Sequence, residues 1–177
     1  SNYNLLSYNE TIEKQNEKDG GLAVGFMKWF SDLGNIITGS LAYRQQGTTY
    51  RPEIDALHDI DMIVPSDTHN IDLSKEFSDE EMLNNEYFKK VKEKYPDMDF
   101  LYVFSNKKDN SNFVTVNAMW SKNKELKNKF KSYSGSFNER LENFTEDELS
   151  QMYLFDFFLI PRSSNEYITR KDEKYGL

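Results

Sequence analysis

Asp59 and Asp61 stand one residue apart inside the apolar run Ile60, Met62, Ile63, Val64, in the segment "HDIDMIV". Side chains two apart on a strand share a face, so both carboxylates project from one side of it. Two bare carboxylates held a few ångströms apart repel and are costly to strip of water. Such a pair persists when a cation sits between them or when one carries a proton. Hard divalent cations take oxygen ligands, and Mg2+ is held by one or two protein carboxylates together with substrate phosphates. A strand edge that merely carries two acids would look the same, and the chain holds a control in Asp97-Met98-Asp99. That second pair follows Pro96 at the entry to a strand and reads as turn chemistry.

What precedes Asp59 and Asp61 sets them apart. The short apolar strand "NIIT" runs into Gly39-Ser40 and then the short helix "SLAYRQQG". Strand, Gly-Ser and helix in that order put free backbone N–H groups and a hydroxyl at a helix N-terminus, where anions bind. Gly39 permits close backbone approach there. Arg44 lies one turn beyond Ser40 on the same helical face, within reach of a phosphate. Alone, Gly-Ser is an ordinary helix cap; followed by a paired-acid strand, it describes a metal–nucleotide site. Asp156, in "FDFFLIP", on a strand shares a face with Phe158 and Ile160, where an unpaired carboxylate is expensive. His58 reads as a residue that orients the turn before the acid pair.

Gly39-Ser40 followed by "HDIDMIV" resembles the nucleotidyltransferase superfamily typified by DNA polymerase beta. Its signature is an apolar strand, Gly-Ser or Gly-Gly, a short helix, then D-x-D flanked by apolar residues. Its third acid lies on a neighbouring strand that ends Leu-Ile-Pro, as the Asp156 segment does. The resemblance implies the nucleotidyltransferase fold and the transfer of a nucleoside monophosphate from a triphosphate to a hydroxyl of a small molecule or protein. It implies two Mg2+ ions, with Mn2+ as a substitute. Asp59 and Asp61 would bridge both, and Asp156 would complete the ion nearer the acceptor. Gly39, Ser40 and Arg44 would hold the triphosphate, and 48–58 would be an inserted loop beside the site. The rival is a non-catalytic or toxin–antitoxin-type protein that keeps the fold for nucleotide binding or interaction; the presence of all three acids favours the enzyme. A phosphohydrolase with an aspartyl nucleophile ranks lower, because Met62, Ile63 and Val64 continue the strand past the acids.

The elements that must position these residues follow from pattern. Apolar spacing predicts an N-terminal helix over 1–19 ending at Gly20-Gly21, and a second helix from Leu22 to Leu33, stopped by Gly34. Asp59 to Val64 is a strand halted by Pro65. "SDEEMLNNEYFKKVKEKYP" reads as one helix capped by Ser78 and stopped by Pro96. "DFLYVFSN" and "NFVTVNAMW" form a hairpin, "KNKELKNKFK" a helix with a solvated lysine surface, and "MYLFDFFLIP" a strand. The polar tail 162–177 has no evident ending. Strands and helices alternate but a hairpin intrudes, which predicts an α/β (α+β) domain with a mixed sheet flanked by helices.

Composition agrees. A chain of 177 residues suits one domain over 1–177, and at that size about 70% of the unfolded surface can be buried. Hydrophobic residues at 37% and aromatics at 15% make it globular. The absence of cysteine excludes disulfides and thiolate metal sites. A net charge of −8 argues against a duplex-DNA footprint, while a divalent cation would reverse the sign locally for a nucleotide. No apolar run approaches the ~20 residues of a membrane span and no signal peptide opens the chain, so the expectation is a cytoplasmic protein without a membrane partner.

Overall fold

Gly20 and Gly21 divide the N-terminal helical region in two. Both adopt positive φ, 67° and 88°, closing α1 (Tyr8–Asp19) and opening α2 (Leu22–Asp32). Asp19 fixes this corner. Its carboxylate accepts the N–H groups of Gly21, Leu22 and Ala23 at 3.0–3.1 Å, the Gln15 amide at 2.7 Å and the Tyr153 hydroxyl at 2.5 Å. Burial raises the Asp19 carboxyl, but the hydrogen bonds from Tyr153, Gln15, Ala23 and Gly21 outweigh it and hold the group below the usual carboxylate range. Asp19→Ala should therefore cost about 2 kcal/mol, a lost cap plus a stranded phenol, read as a lower urea midpoint at unchanged m. Asp19→Asn, which still accepts at the cap, should recover part of it.

The structure is a computed structural model that describes residues 7–47, 59–73, 80–81, 84–106, 113–164 and 169–177; the side chains of Ser40, Asp59, 99–106, Phe113 and Ser164 are outside the description. After α2 the described elements are β1 (Ile36–Thr38), α3 (Gly39–Gln45), β2 (Asp59–Pro65), α4 (Glu86–Lys94), β3 (Asp99–Asn106), β4 (Phe113–Trp120), α5 (Lys124–Ser132), α6 (Phe137–Leu141), α7 (Glu146–Leu149) and β5 (Tyr153–Ile160). The strands form one sheet in the order β1-β2-β5-β4-β3. β2 and β5 are parallel, and every other neighbouring pair is antiparallel. This is the expected mixed sheet flanked by helices.

Alternation along β5 sorts its two faces. Phe155, Phe157 and Leu159 point into the main core with Ile60, Met62 and Val64 of β2 and Val116 of β4, under α1, α2 and α4. The rings of Phe155 and Phe157 stack at 5.7 Å. On the opposite face, Leu154 and Met119 join a second, smaller core with Leu126, Phe130, Phe137, Phe144 and Met152. Asp156, Phe158 and Ile160 continue that face and are only half-buried. Asn35 anchors the entry to β1: its side-chain amide donates to the Tyr87 hydroxyl at 2.8 Å, and its oxygen meets His69 Nε2 at 3.0 Å.

Three expectations are corrected. The single helix expected to run on to Tyr95 is interrupted. The Asn84 N–H donates back to the Glu80 carbonyl, and then Asn85, extended at φ −62° and ψ 143°, caps a new helix through the Tyr87 N–H at 2.8 Å. Asparagine side chains compete for backbone groups, which makes Asn-Asn a better cap than a helix interior. Pro65 is the last residue of β2, opposite Ile160, instead of lying beyond it. The tail has a definite seat: Tyr8 donates to Asp172 at 2.7 Å, Lys171 pairs with Asp32 at 2.8 Å, and Leu177 is buried. Ser78, the loop 48–58 and the turn 107–112 lie outside the described residues. No described helix is long and apolar enough to cross a membrane.

Candidate active site

The β2–β5 register sets Asp61 directly opposite Asp156, and the β4–β5 register sets Asp156 opposite Asn117. On the other side, Thr38 of β1 is opposite Asp61. A row of four polar residues thus crosses four strands. Directly opposite residues bring their side chains within contact distance. Asp156 and Asp61 share a side-chain hydrogen bond, and the Asn117 amide donates to Asp156 Oδ1. Two carboxyl groups set opposite each other on a half-buried face resist being ionised together. Burial pushes the Asp156 carboxyl above the usual carboxylate range, against the pull of the hydrogen bonds from Asp61 and Asn117.

Gly39 closes the site from above. It follows Thr38, so the chain turns into α3 over the Asp61 carboxylate, at φ 74°. A Cβ built on Gly39 would lie 2.4 Å from Asp61 Oδ2, nearer than non-bonded atoms come. The glycine is needed twice, for its backbone conformation and for its missing side chain.

Ser40 is the second residue of α3, and Asp59 opens β2 opposite Leu154; the side chains of both lie outside the description. Among the described residues, no three His, Cys, Asp or Glu side chains group closely enough to hold a metal, so the described donor set is Asp61 and Asp156. Arg44, expected at a phosphate, is 4% exposed and donates from Nη1 to Thr11 Oγ1 of α1 at 2.9 Å. Asp97 of the control pair lies in an exposed turn, with Lys127 at 3.9 Å.

Asn117 was not singled out from the sequence, yet it is the residue that orients Asp156. The signal was present in "FVTVNAMW", where Thr115, Asn117 and Met119 alternate with Val114, Val116 and Ala118. Asn117 is 8% exposed, so its amide is a buried polar group spent on the acid.

The decisive geometry is the Asp61–Asp156 pair beneath Gly39. No family model, curated protein or solved structure matches the chain.

Proposed function

We propose that this chain is a metal-dependent nucleotidyltransferase, moving a nucleoside monophosphate from a triphosphate to a hydroxyl of a small molecule or a protein. The observation that carries this reading is the Asp61–Asp156 pair, two carboxyl groups directly opposite each other on neighbouring parallel strands. A divalent cation relieves such a pair better than a proton does, because it offsets both charges. The donors fit Mg2+ or Mn2+: they are oxygen only, and the Asn117 amide fixes one of them from behind. Asp61 and Asp156 would hold the metal, with Asp59 as the third carboxylate by resemblance to the polymerase beta superfamily. Of the two ions expected there, one would lower the pKa of the acceptor hydroxyl and the other would offset charge on the leaving pyrophosphate. Gly39 and Ser40 would receive the triphosphate at the start of α3. The buried bond from Arg44 to Thr11 favours a different part for that residue, bracing α3 against α1 so that Gly39 stays over Asp61.

A thermal-shift screen of the four nucleoside triphosphates, each with Mg2+, Mn2+ or EDTA, tests the reading. One triphosphate at about 100 times its Kd should stabilise the protein by about 2.7 kcal/mol, raising Tm by about 5–10 °C, and only with metal. No metal-dependent shift with any triphosphate would remove the proposal. Pyrophosphate release from the same samples separates transfer from binding alone: a shift without release would favour the non-catalytic reading.

A further inference from the structure

A cavity of about 690 Å³ opens between α3, β1 and the C-terminal tail. Neither Asp61 nor Asp156 lines it. Its walls come from α3 through Gln45 and Gln46, from β1 through Ile36 and Ile37, and from the tail through Arg170 and Lys171. Arg162 completes the rim. The volume lies within the range of small-molecule sites.

Charge distinguishes this cavity from the rest of the molecule. The chain carries 30 acidic and 22 basic side chains, yet the lining holds three cations and no Asp or Glu. Lys171 is paired with Asp32, which leaves two arginines. Among the described residues the guanidinium groups of Arg162 and Arg170 make no hydrogen bond or ion pair with protein, and neither do the side-chain amides of Gln45 and Gln46. β1 is the edge strand, so the backbone groups on its outer side are also unmatched by any described strand. The apolar floor suits the body of a ligand, and the arginine fork suits a phosphate, which it can bind through two parallel hydrogen bonds.

We infer that this cavity is a second binding site, separate from the carboxylate pair, for a phosphate-bearing small organic molecule. Its recognition needs no metal, because the cations are the protein's own. Isothermal titration calorimetry in EDTA at low salt, with adenosine 5′-monophosphate, inorganic phosphate and citrate as probes, tests this. Adenosine 5′-monophosphate should bind with Kd below about 1 mM, more tightly than either of the other probes. Arg162→Ala and Arg170→Ala should each weaken it about tenfold, and the double variant should abolish measurable heat. Both side chains are exposed, so the variants should melt with wild type. Asp156→Asn should bind the probe as wild type does, which keeps this test distinct from that of the proposed activity. Absence of binding by both phosphate probes, binding that survives the double variant, or binding of citrate alone would each overturn the inference.

Discussion

Asp61→Asn is expected to abolish metal-dependent transfer and to leave the metal-free protein as stable as wild type or more so. The substitution keeps the shape of the side chain and takes one ionisable carboxyl from a site where two face each other on neighbouring strands. The site then loses an anionic oxygen ligand and holds a divalent cation less well. Transfer should fall about a thousandfold or more, since metal positioning and charge neutralisation supply most of the rate in phosphoryl-type chemistry. A structural acid behaves oppositely: losing a satisfied partner destabilises the fold, and activity declines only with it. Asp97→Asn, in its exposed turn, is the control and should change neither property. The pH dependence of stability supplies an independent reading through Asp156. Its carboxyl titrates above the usual range in the folded protein, so across the window between its unfolded and folded pKa values the folded state holds more protons. Stability from this group therefore falls as pH rises through that window. Asp156→Asn should be more stable than wild type above the window, and the advantage should vanish as pH drops below about 3.9, where the unfolded chain is protonated too. Urea titrations of both proteins in EDTA, from neutral pH downwards, measure it. An Asp61→Asn variant that melts lower and still binds triphosphate with metal would overturn the reading.

Gly39→Ala should be the most damaging small substitution in the molecule. The added methyl would lie 2.4 Å from Asp61 Oδ2, at a backbone φ of 74° that alone costs a non-glycine residue about 1 kcal/mol. Relieving the overlap requires α3 to back away from β2 or Asp61 to leave its rotamer, for a total of about 3 kcal/mol. Either movement also disturbs the site, so the metal-dependent triphosphate shift should disappear with the stability. The double variant Gly39→Ala with Asp61→Ala separates the two costs. Removing the carboxylate should return the part due to overlap and leave the backbone part, an interaction energy of about 1–2 kcal/mol in a double-mutant cycle. Strict additivity would mean that the close approach has no energetic consequence.

β2, β4 and β5 were legible as strands from their short apolar runs, but their register was not; packing fixes it, since one residue of slip would turn Phe155 and Phe157 out of the core. The expectation that Asp156 stands on a strand beside Asp61 rests on the resemblance to the polymerase beta superfamily, whose third acid lies on a neighbouring strand; the β2–β5 register sets the two opposite each other. Local signals served less well where a side chain had two uses. Arg44 sits one turn from Ser40, the right spacing for an anion, but helix position alone does not tell which neighbour covers the arginine, and α1 does. The Asn84-Asn85 break was missed because acids and apolar spacing on both sides favour one helix, and only the competition of asparagine for backbone groups divides it. Asn117 was passed over because an amide in a strand has no signature of its own. Its meaning comes from the carboxylate across the ladder, 39 residues further along the chain.

Among the described strands β5 is the last in sequence and the middle one in space. It pairs with β2 on one side and β4 on the other, seven residue pairs along each edge. Until 153–160 have been synthesised, a nascent chain can make the β1–β2 and β3–β4 ladders but cannot join them, and the apolar edges of β2 and β4 stay open. Such edges pair readily with other chains, so the vulnerable interval in the life of this protein lies on the ribosome and shortly after it. The closing contacts are between residues far apart in sequence, which makes the final association slow compared with the hairpins that precede it. Asp156 arrives on that strand, so the two carboxylates meet only in the step that joins the two ladders.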